Sequence, residues 1–514
     1  MKKSDKLHEL IHSMSKAEKR HFKISAERHS IGGQNNYIIL FDVLEEMKKF
    51  DSQMLTNTLE AKGISTRHLA SDKTYLYQHI LKDLSVHHSS KTASLKIKEQ
   101  LHQVEILYDR GLYNHCLSLM RSAKSLATKY DLYPLLLEIS VWEQKTLNQQ
   151  GDIEEAKNAL VDSVEHLALL DNMQAFMKLH YSMAELQRQI PNARTVEEEE
   201  TLAEFISHPF LQKETIPLTF EARLHFWQTY ALYYYAIDDE PKELEANLTL
   251  LEIMDSNPKY AQEFPNKYIE IYSRILTIKS HASDEDFNLY LDFFRSFPKR
   301  IKKARRNVEM RMLIDSTQIE LTRMAQLGNF DQLEERIPEL ESLIQRFNKQ
   351  MAVGEKMYFR YLMAYALVAV EKYSEALTHI NDLLNEKERE RRLEIHMCGR
   401  LLNLIIHFKL GNYLLLQHTV ESDARYLKKI DHYHQTEKAF LKCFRKLSKG
   451  IPEDRLGQIS IFESSLKEME CIMTDEYEQK VLEMLDILSW LDSQIHKISF
   501  KQAKANRKMG VSIN

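Results

Sequence analysis

Apolar residues recur along this chain at steps of three and four, the spacing that gathers them on one side of a helix. Leu7, Leu10, Ile11 and Met14 make the first such stripe. YIILFDVLEEM at 37 to 47 and KTYLYQHILKDL at 73 to 84 make others, and DEYEQKVLEMLDILSWLDSQIHKI, after Cys471, predicts one long helix. Ser15 with Glu18 three residues on is a capping box that opens a helix, which the IGGQNN loop at 31 to 36 ends. No stretch alternates apolar and polar residues for long enough to force a strand.

Composition strengthens that reading. Twelve Gly and ten Pro in 514 residues are few, far below ordinary usage. Long helices and short connections follow, so the expected fold class is all-α. A chain of this length exceeds one compact helical core, and the lack of any Gly/Ser/Pro-rich linker favours a repeat array over separate domains. The net charge of −5 and a sequence pI near 6.5 give no global attraction to nucleic acid or to an anionic membrane. MKKSDKLHELIHSMSKAEK carries charge throughout, and no 18-residue apolar run exists; the expected location is the cytoplasm, with no membrane contact. Cys116, Cys398, Cys443 and Cys471 are scattered without zinc-like pairing, so they read as buried packing thiols of a reducing compartment.

A repeat emerges from five short stretches: GLYNHC at 111, GDIEEA at 151, GNFDQL at 328, EKYSEA at 371 and GNYLLL at 411. Each reads as the turn of a helical hairpin. Its first residue permits a tight helix end, the third packs as the hairpin closes, and the sixth is small or flexible where two helices approach. Gly111, Gly151, Gly328 and Gly411 take the first role, Tyr373 the third, and Ala156 and Ala376 the sixth. PKELEANLTLLEIMDSNP adds a turn at 241, with Ala246 as its small residue and Pro258 ending the unit. The gaps 151 to 241 and 241 to 328 are almost double the others, so each is expected to hide a degenerate unit, near 190 and near 283.

These residues resemble the tetratricopeptide (TPR) superfamily. In EKYSEALTHI, Lys372, Tyr373, Ala376 and Ile380 fill the turn, the turn aromatic, the small second-helix position and its apolar partner. Gly151, Ile153, Ala156 and Leu160 do so in GDIEEAKNAL, and Gly111, Tyr113, Cys116 and Met120 in the first unit. The period is about 40 to 45 residues rather than the 34 of the standard motif. The large first-helix aromatic and the Gly of that motif are mostly missing, so the ligand contacts of peptide-clamping relatives do not transfer. SKAEKRHFK is also similar to the opening of bacterial helical-repeat proteins. The resemblance implies a right-handed α-solenoid of about nine antiparallel hairpins, divided as an N-terminal helical domain at 1 to 92, the array at 93 to 472, and a capping helix with a frayed tail at 473 to 514.

Candidate chemistry is sparse. HELIH at 8 to 12 has the letters of a zinc metallopeptidase helix, in which two His bind the metal and the Glu activates its water. A third ligand is missing: the extended form needs Gly and His at 15 and 18, where Ser15 and Glu18 stand, and the other form needs a Glu near Ile31 to Gly33. The motif therefore reads first as part of the Leu7 stripe. His87 and His88, and His432 with His434, lack metal-ligand spacing, and no metal or cofactor is expected. In WQTYALYYY, Trp227, Tyr230 and Tyr234 share a face and read as inter-hairpin packing, with a Tyr on a concave surface as the lesser reading.

The sharpest anomaly is KRIKKARRNVEMRM, where Lys299, Arg300, Lys302, Lys303, Arg305 and Arg306 crowd together. Its two readings are a dock for an acidic partner surface or phosphate groups, and a solvated face. No phosphate loop, G-x-S-x-G or local nucleophile pair appears. The sequence therefore points to a non-enzymatic scaffold or adaptor that holds an unidentified protein partner on a concave face. A second reading makes LEAKGISTRHLASDKTYLYQHILKDL a helix-turn-helix of a nucleic-acid-linked regulator, with Gly63 in the turn and Arg67, His68, Lys73 and Tyr75 near the backbone. Leu59 stands where an Ala would be expected and the segment is not strongly basic, so nucleic acid is the less favoured partner.

Overall fold

The structure, a computed structural model, describes residues 5–28, 36–88, 92–214, 216–300, 306–348, 350–388, 392–430, 432–449, 454–479 and 484–509, with the side chains of 259, 261, 263, 281, 298–300, 306, 476 and 479 outside that description. The described residues are helical, with no strand among them. They form two compact units, Met1–Leu170 and Asp171–Asn514.

The first unit comprises α1 Lys6–Ser13, α2 Lys16–Arg28, α3 Asn36–Glu46, α4 Ser52–Ala61, α5 Leu69–His88, α6 Ala93–Asp109, α7 Tyr113–Lys129, α8 Tyr133–Gln150 and the start of α9 Ile153–Gln189. Leu7, Ile11, Phe22, Phe41, Leu44 and Ile80 bury one core among α1 to α5. The capping box stands as expected: the Ser15 amide donates to Glu18 Oε2 at 2.7 Å and the Glu18 amide to Ser15 Oγ at 3.3 Å. Most of IGGQNN lies outside the described residues. Ala93 opens α6 on the side-chain cap of Thr92, and α6, α7 and α8 pack in succession.

The HELIH histidines lie on α1 and serve its packing. His8 Nε2 donates to Met47 O at 2.7 Å and His12 Nε2 to Leu44 O at 3.0 Å. One helical turn thus ties α1 to the end of α3.

In the second unit, α10 Val196–Ile206, α11 Phe220–Ala236, α12 Glu240–Asp255, α13 Pro258–Glu263, α14 Pro265–Ile278, α15 Asp284–Arg300, α16 Arg306–Leu327, α17 Phe330–Glu335, α18 Ile337–Arg346, α19 Val353–Ala369, α20 Tyr373–Leu384, α21 Leu393–Lys409, α22 Tyr413–Lys429, α23 Gln435–Lys449, α24 Arg455–Ile472, α25 Glu476–Gln479, α26 Ile487–His496 and α27 Phe500–Lys508 follow one another. Neighbours pack in order: α11 on α12, α12 on α14, α14 on α16, then α19 to α24 pairwise.

The turns share one closure. Gly111, Gly151, Gly328 and Gly411 all have positive φ. The residue after each reaches back to the carbonyl five residues earlier, as Asn412 N to His407 O at 3.0 Å and Asp152 N to Leu147 O at 3.0 Å. This is the Schellman motif, and it consumes carbonyls that a helix end leaves orphaned. Glu371, Asp238 and Asp131 adopt the same left-handed backbone without being Gly. The turn expected at 241 has its left-handed residue at Asp238, so its sixth position is the buried Glu243 rather than Ala246, and Asp131 makes a further turn that no glycine marks. Near 190 and 283, where degenerate units are expected, helices end: α9 gives way to α10, and α14 to α15.

Other expectations change. No Gly or Pro occurs between 152 and 190, and α9 runs unbroken for 37 residues, about 55 Å at the helical rise. Ile153 and Leu160, assigned to packing, are therefore 75% and 52% exposed. The single helix expected after Cys471 is broken, because the Asp486 side chain accepts from the Ser489 amide and starts α26 afresh. The tail expected to fray from Lys501 forms α27, where Phe500 stacks near Phe330 at 5.5 Å and Lys504 pairs with Asp486 at 3.1 Å. Cys116, Cys398 and Cys443 are buried, but Cys471 is exposed.

Candidate functional site

Within the second unit lies a cavity of about 1240 Å³. Its wall is assembled from strips on several helices of the unit. On α14 the strip is Glu270, Ser273, Arg274 and Thr277; on α16, Arg311, Asp315, Gln318 and Thr322; on α19, Glu355, Tyr358, Tyr361 and Tyr365. Steps of three and four put such residues on one helical face. The opposite faces are apolar: Tyr268, Ile269, Tyr272 and Ile275 of α14 are buried in a core with Phe294 and Val308. Helix α11 contributes Tyr235 from its last turn, and Arg392, Glu394 and Cys398 come from the start of α21.

Two arginines dominate one part of the wall. Arg274 Nη2 donates to Glu243 Oε2 at 2.8 Å, and its Nε also meets Glu243. Its guanidinium stands 4.3 Å from the centre of the Tyr235 ring. Arg392 stands 5.2 Å from the Tyr358 ring and pairs with Glu394. Fixing a guanidinium against an aromatic face and one carboxylate leaves its remaining N–H groups oriented. Burial pushes the Tyr235 and Tyr358 hydroxyls up, so both stay protonated donors. The Tyr358 hydroxyl is 2.8 Å from that of Thr322.

Carboxylates gather farther along. Arg311 holds Asp315 at 2.9 Å and also meets Glu355, and Ser273 Oγ donates to Asp315 Oδ2 at 3.0 Å. Burial nevertheless pushes Asp315 up, and it raises Glu270 beside it. Acidic and basic side chains line the cavity in equal numbers, so no single sign of charge governs it. Arg194 crosses to the last helices of the unit, with Nη1 donating to Glu437 Oε1 at 2.6 Å and Nη2 to Glu478 Oε2 at 3.0 Å. Burial works against the Glu478 carboxylate, but the Thr436 and Gln435 amides hold it below its usual range.

Nucleophilic chemistry finds little support in this wall. Burial pushes the Cys398 thiol up to about 12, which keeps it protonated and inert. His180 and the adjacent His225, with ring centres 5.3 Å apart, are both lowered to about 4 by burial and are neutral. Among the described residues no group of three or more His, Cys, Asp or Glu is placed to hold a metal ion.

The residues singled out in the sequence distribute unevenly. Lys302, Lys303 and Arg305 lie outside the described residues, and Lys299, Arg300 and Arg306 belong to helices whose side chains there are likewise undescribed. In WQTYALYYY, Trp227, Tyr230 and Tyr234 pack in a row at 6.0 and 5.8 Å, and the Tyr230 hydroxyl donates to Leu211 O at 2.7 Å. Tyr235, the next residue, is the one on the cavity wall. Ala156, Ala246 and Ala376 are buried, and Tyr373 packs against the core. In the helix-turn-helix segment, Gly63 closes α4 with a positive φ. Lys73 is paired with Asp5 and stands over Phe50, while Tyr75 is exposed against Tyr37.

No helix of the described residues is long and apolar enough to cross a membrane. Compared with known proteins, the chain matches no family model, no curated protein and no solved structure.

Proposed function

We propose that this chain is a non-enzymatic binding protein of the cytoplasm, built from TPR-like hairpins in a right-handed α-solenoid, and that its second unit holds an extended segment of a protein partner. One observation carries the reading: a cavity of about 1240 Å³ whose wall is built from polar strips on α14, α16 and α19. That volume exceeds the usual range for small-molecule pockets, and its lining alternates tyrosine faces with oriented guanidinium and hydroxyl donors. Backbone carbonyls and mixed side chains of a peptide suit such a wall better than a small ion of one sign. The repeated Schellman closure at 111, 151, 328, 371 and 411 supports the hairpin architecture.

The partner is to be captured from native cells with the full chain and compared with a Tyr235→Ala/Tyr358→Ala variant. Aromatic anchors in enclosed sites carry much of the energy of an interface, so the variant should retain helicity and lose about tenfold or more in affinity. An undiminished affinity would remove the cavity from consideration.

The nucleic-acid reading keeps the α4, Gly63, α5 connection in its favour. Against it, Lys73 is engaged by Asp5 within the unit. Duplex binding that weakens steeply with salt would restore it.

A further inference from the structure

Three side chains on the cavity wall hold donors without an acceptor. Arg274 gives its Nε and Nη2 to the buried Glu243, and Arg392 gives its Nε to Glu394. Among the described residues nothing accepts from Arg274 Nη1, from either terminal nitrogen of Arg392 or from the Tyr235 hydroxyl. These groups share one corner. Arg274 stands 4.3 Å from the centre of the Tyr235 ring, and Arg392 stands 5.2 Å from that of Tyr358. Burial pushes the Tyr235 hydroxyl up, Arg274 and Arg392 both act against that, and Glu394 and Glu243 act with it. Two guanidinium groups and two carboxylates thus lie within electrostatic reach of one phenol.

Enclosed donors left without acceptors are costly, and what these lack is an oxygen with lone pairs. Electrical balance narrows the choice. Each arginine already has one carboxylate, and Glu240 also acts on Arg274, so a doubly charged phosphate would load a neutral set with two negative charges. A carboxylate brings one, and spreads it over guanidinium N–H and phenol O–H groups. We propose that this corner takes a carboxylate side chain, aspartate or glutamate, of the bound segment, held by Arg274 Nη1, the terminal nitrogens of Arg392 and the Tyr235 hydroxyl. The inference rests on the reading of the cavity as the seat of a protein segment. Arg274 belongs to the α14 strip and Tyr358 to the α19 strip, so a segment laid across those strips passes the corner rather than ending there, which selects a side chain over a chain end. Glu243 and Glu394 fix the planes of the two guanidinium groups, so their free edges meet the carboxylate already oriented.

Replacing Arg274 would strand the buried Glu243 without a partner, so the test uses Arg392→Gln and Tyr235→Phe. Glu394 is partly exposed, and a phenylalanine ring keeps the contact with Arg274. Random short peptides, acetylated at the start, amidated at the end and with phosphoserine among their residues, are retained on the immobilised full chain and sequenced; a second pool has free carboxyl ends. The wild type should enrich aspartate or glutamate at one position of the capped pool. Each variant should lower that enrichment about tenfold, the loss expected for a hydrogen bond to a charged group, and keep the preferences at other positions. Peptides retained without an acidic preference, an acidic preference that both variants keep, a preference for phosphoserine, or retention of the uncapped pool alone would each overturn the carboxylate site while the segment reading stands. No retained peptide from either pool would remove that reading, and the carboxylate site with it.

Discussion

Ala376 shows what a single position contributes. It has no exposed surface and sits one turn into α20, where that helix closes on α19. Adding a leucine side chain there should overpack the crossing and cost roughly 1 to 3 kcal/mol. Denaturant unfolding of Ala376→Leu measures it, and an unchanged midpoint would mean the helices do not approach there. His180 and His225 give a different test. Their folded pKa values, lowered to about 4, lie below the unfolded value near 6.5. The folded chain thus binds fewer protons between those limits, and stability present above pH 6.5 must be lost as pH falls toward 4, by as much as about 3 kcal/mol per histidine. Asp423, buried and pushed up to about 6 despite Arg400, acts with the opposite sign, favouring the folded state as pH falls. A His180→Gln/His225→Gln variant should therefore flatten the acid loss of melting temperature; an identical pH profile would contradict the neutral, buried pair.

At the scale of elements, the turns decide the architecture. Glu371 holds a left-handed backbone, φ 64°, where four equivalent turns use glycine. An L side chain there costs roughly 1 to 2 kcal/mol, part of which glycine returns as unfolded-chain entropy. Glu371→Gly should therefore raise stability by about 0.5 to 1 kcal/mol, and a destabilised variant would show that the Glu371 side chain matters more than its backbone. These turns are readable where glycine marks them, and at Glu371 from the likeness of EKYSEA to the other turn stretches. At Asp238 and Asp131 the same geometry is made by aspartate, which carries no such signal, and Pro241 drew the reading three residues too far. The unbroken α9 was readable in principle, from the absence of Gly and Pro over 152 to 190. Asp486, the cap that interrupts the expected C-terminal helix, looks in sequence like one more charged residue on a helical face.

For the molecule as a functional object, the all-helical class followed directly from periodicity and few breakers, whereas the cavity did not. Its strips, such as Glu270, Ser273, Arg274 and Thr277, have ordinary helical spacing, and nothing in one sequence tells an inward polar face from a solvated one. Tyr235 is the last residue of the WQTYALYYY run, off the face shared by Trp227, Tyr230 and Tyr234, and a tyrosine on a concave surface is the lesser of the two readings that run supports. The basic stretch at 299 to 306 was conspicuous because like charges adjoin in sequence; the cavity charges come from distant helices and adjoin only after folding. The central claim is that this cavity holds a protein segment, and the most direct measurement is photocrosslinking in native cells from a benzoyl-phenylalanine placed at Tyr235, compared with one at Leu414, 81% exposed on α22. A discrete protein adduct from position 235, absent from position 414 and mapping to one short stretch of the partner, is the predicted result. No adduct from 235, or the same adducts from both positions, would contradict it.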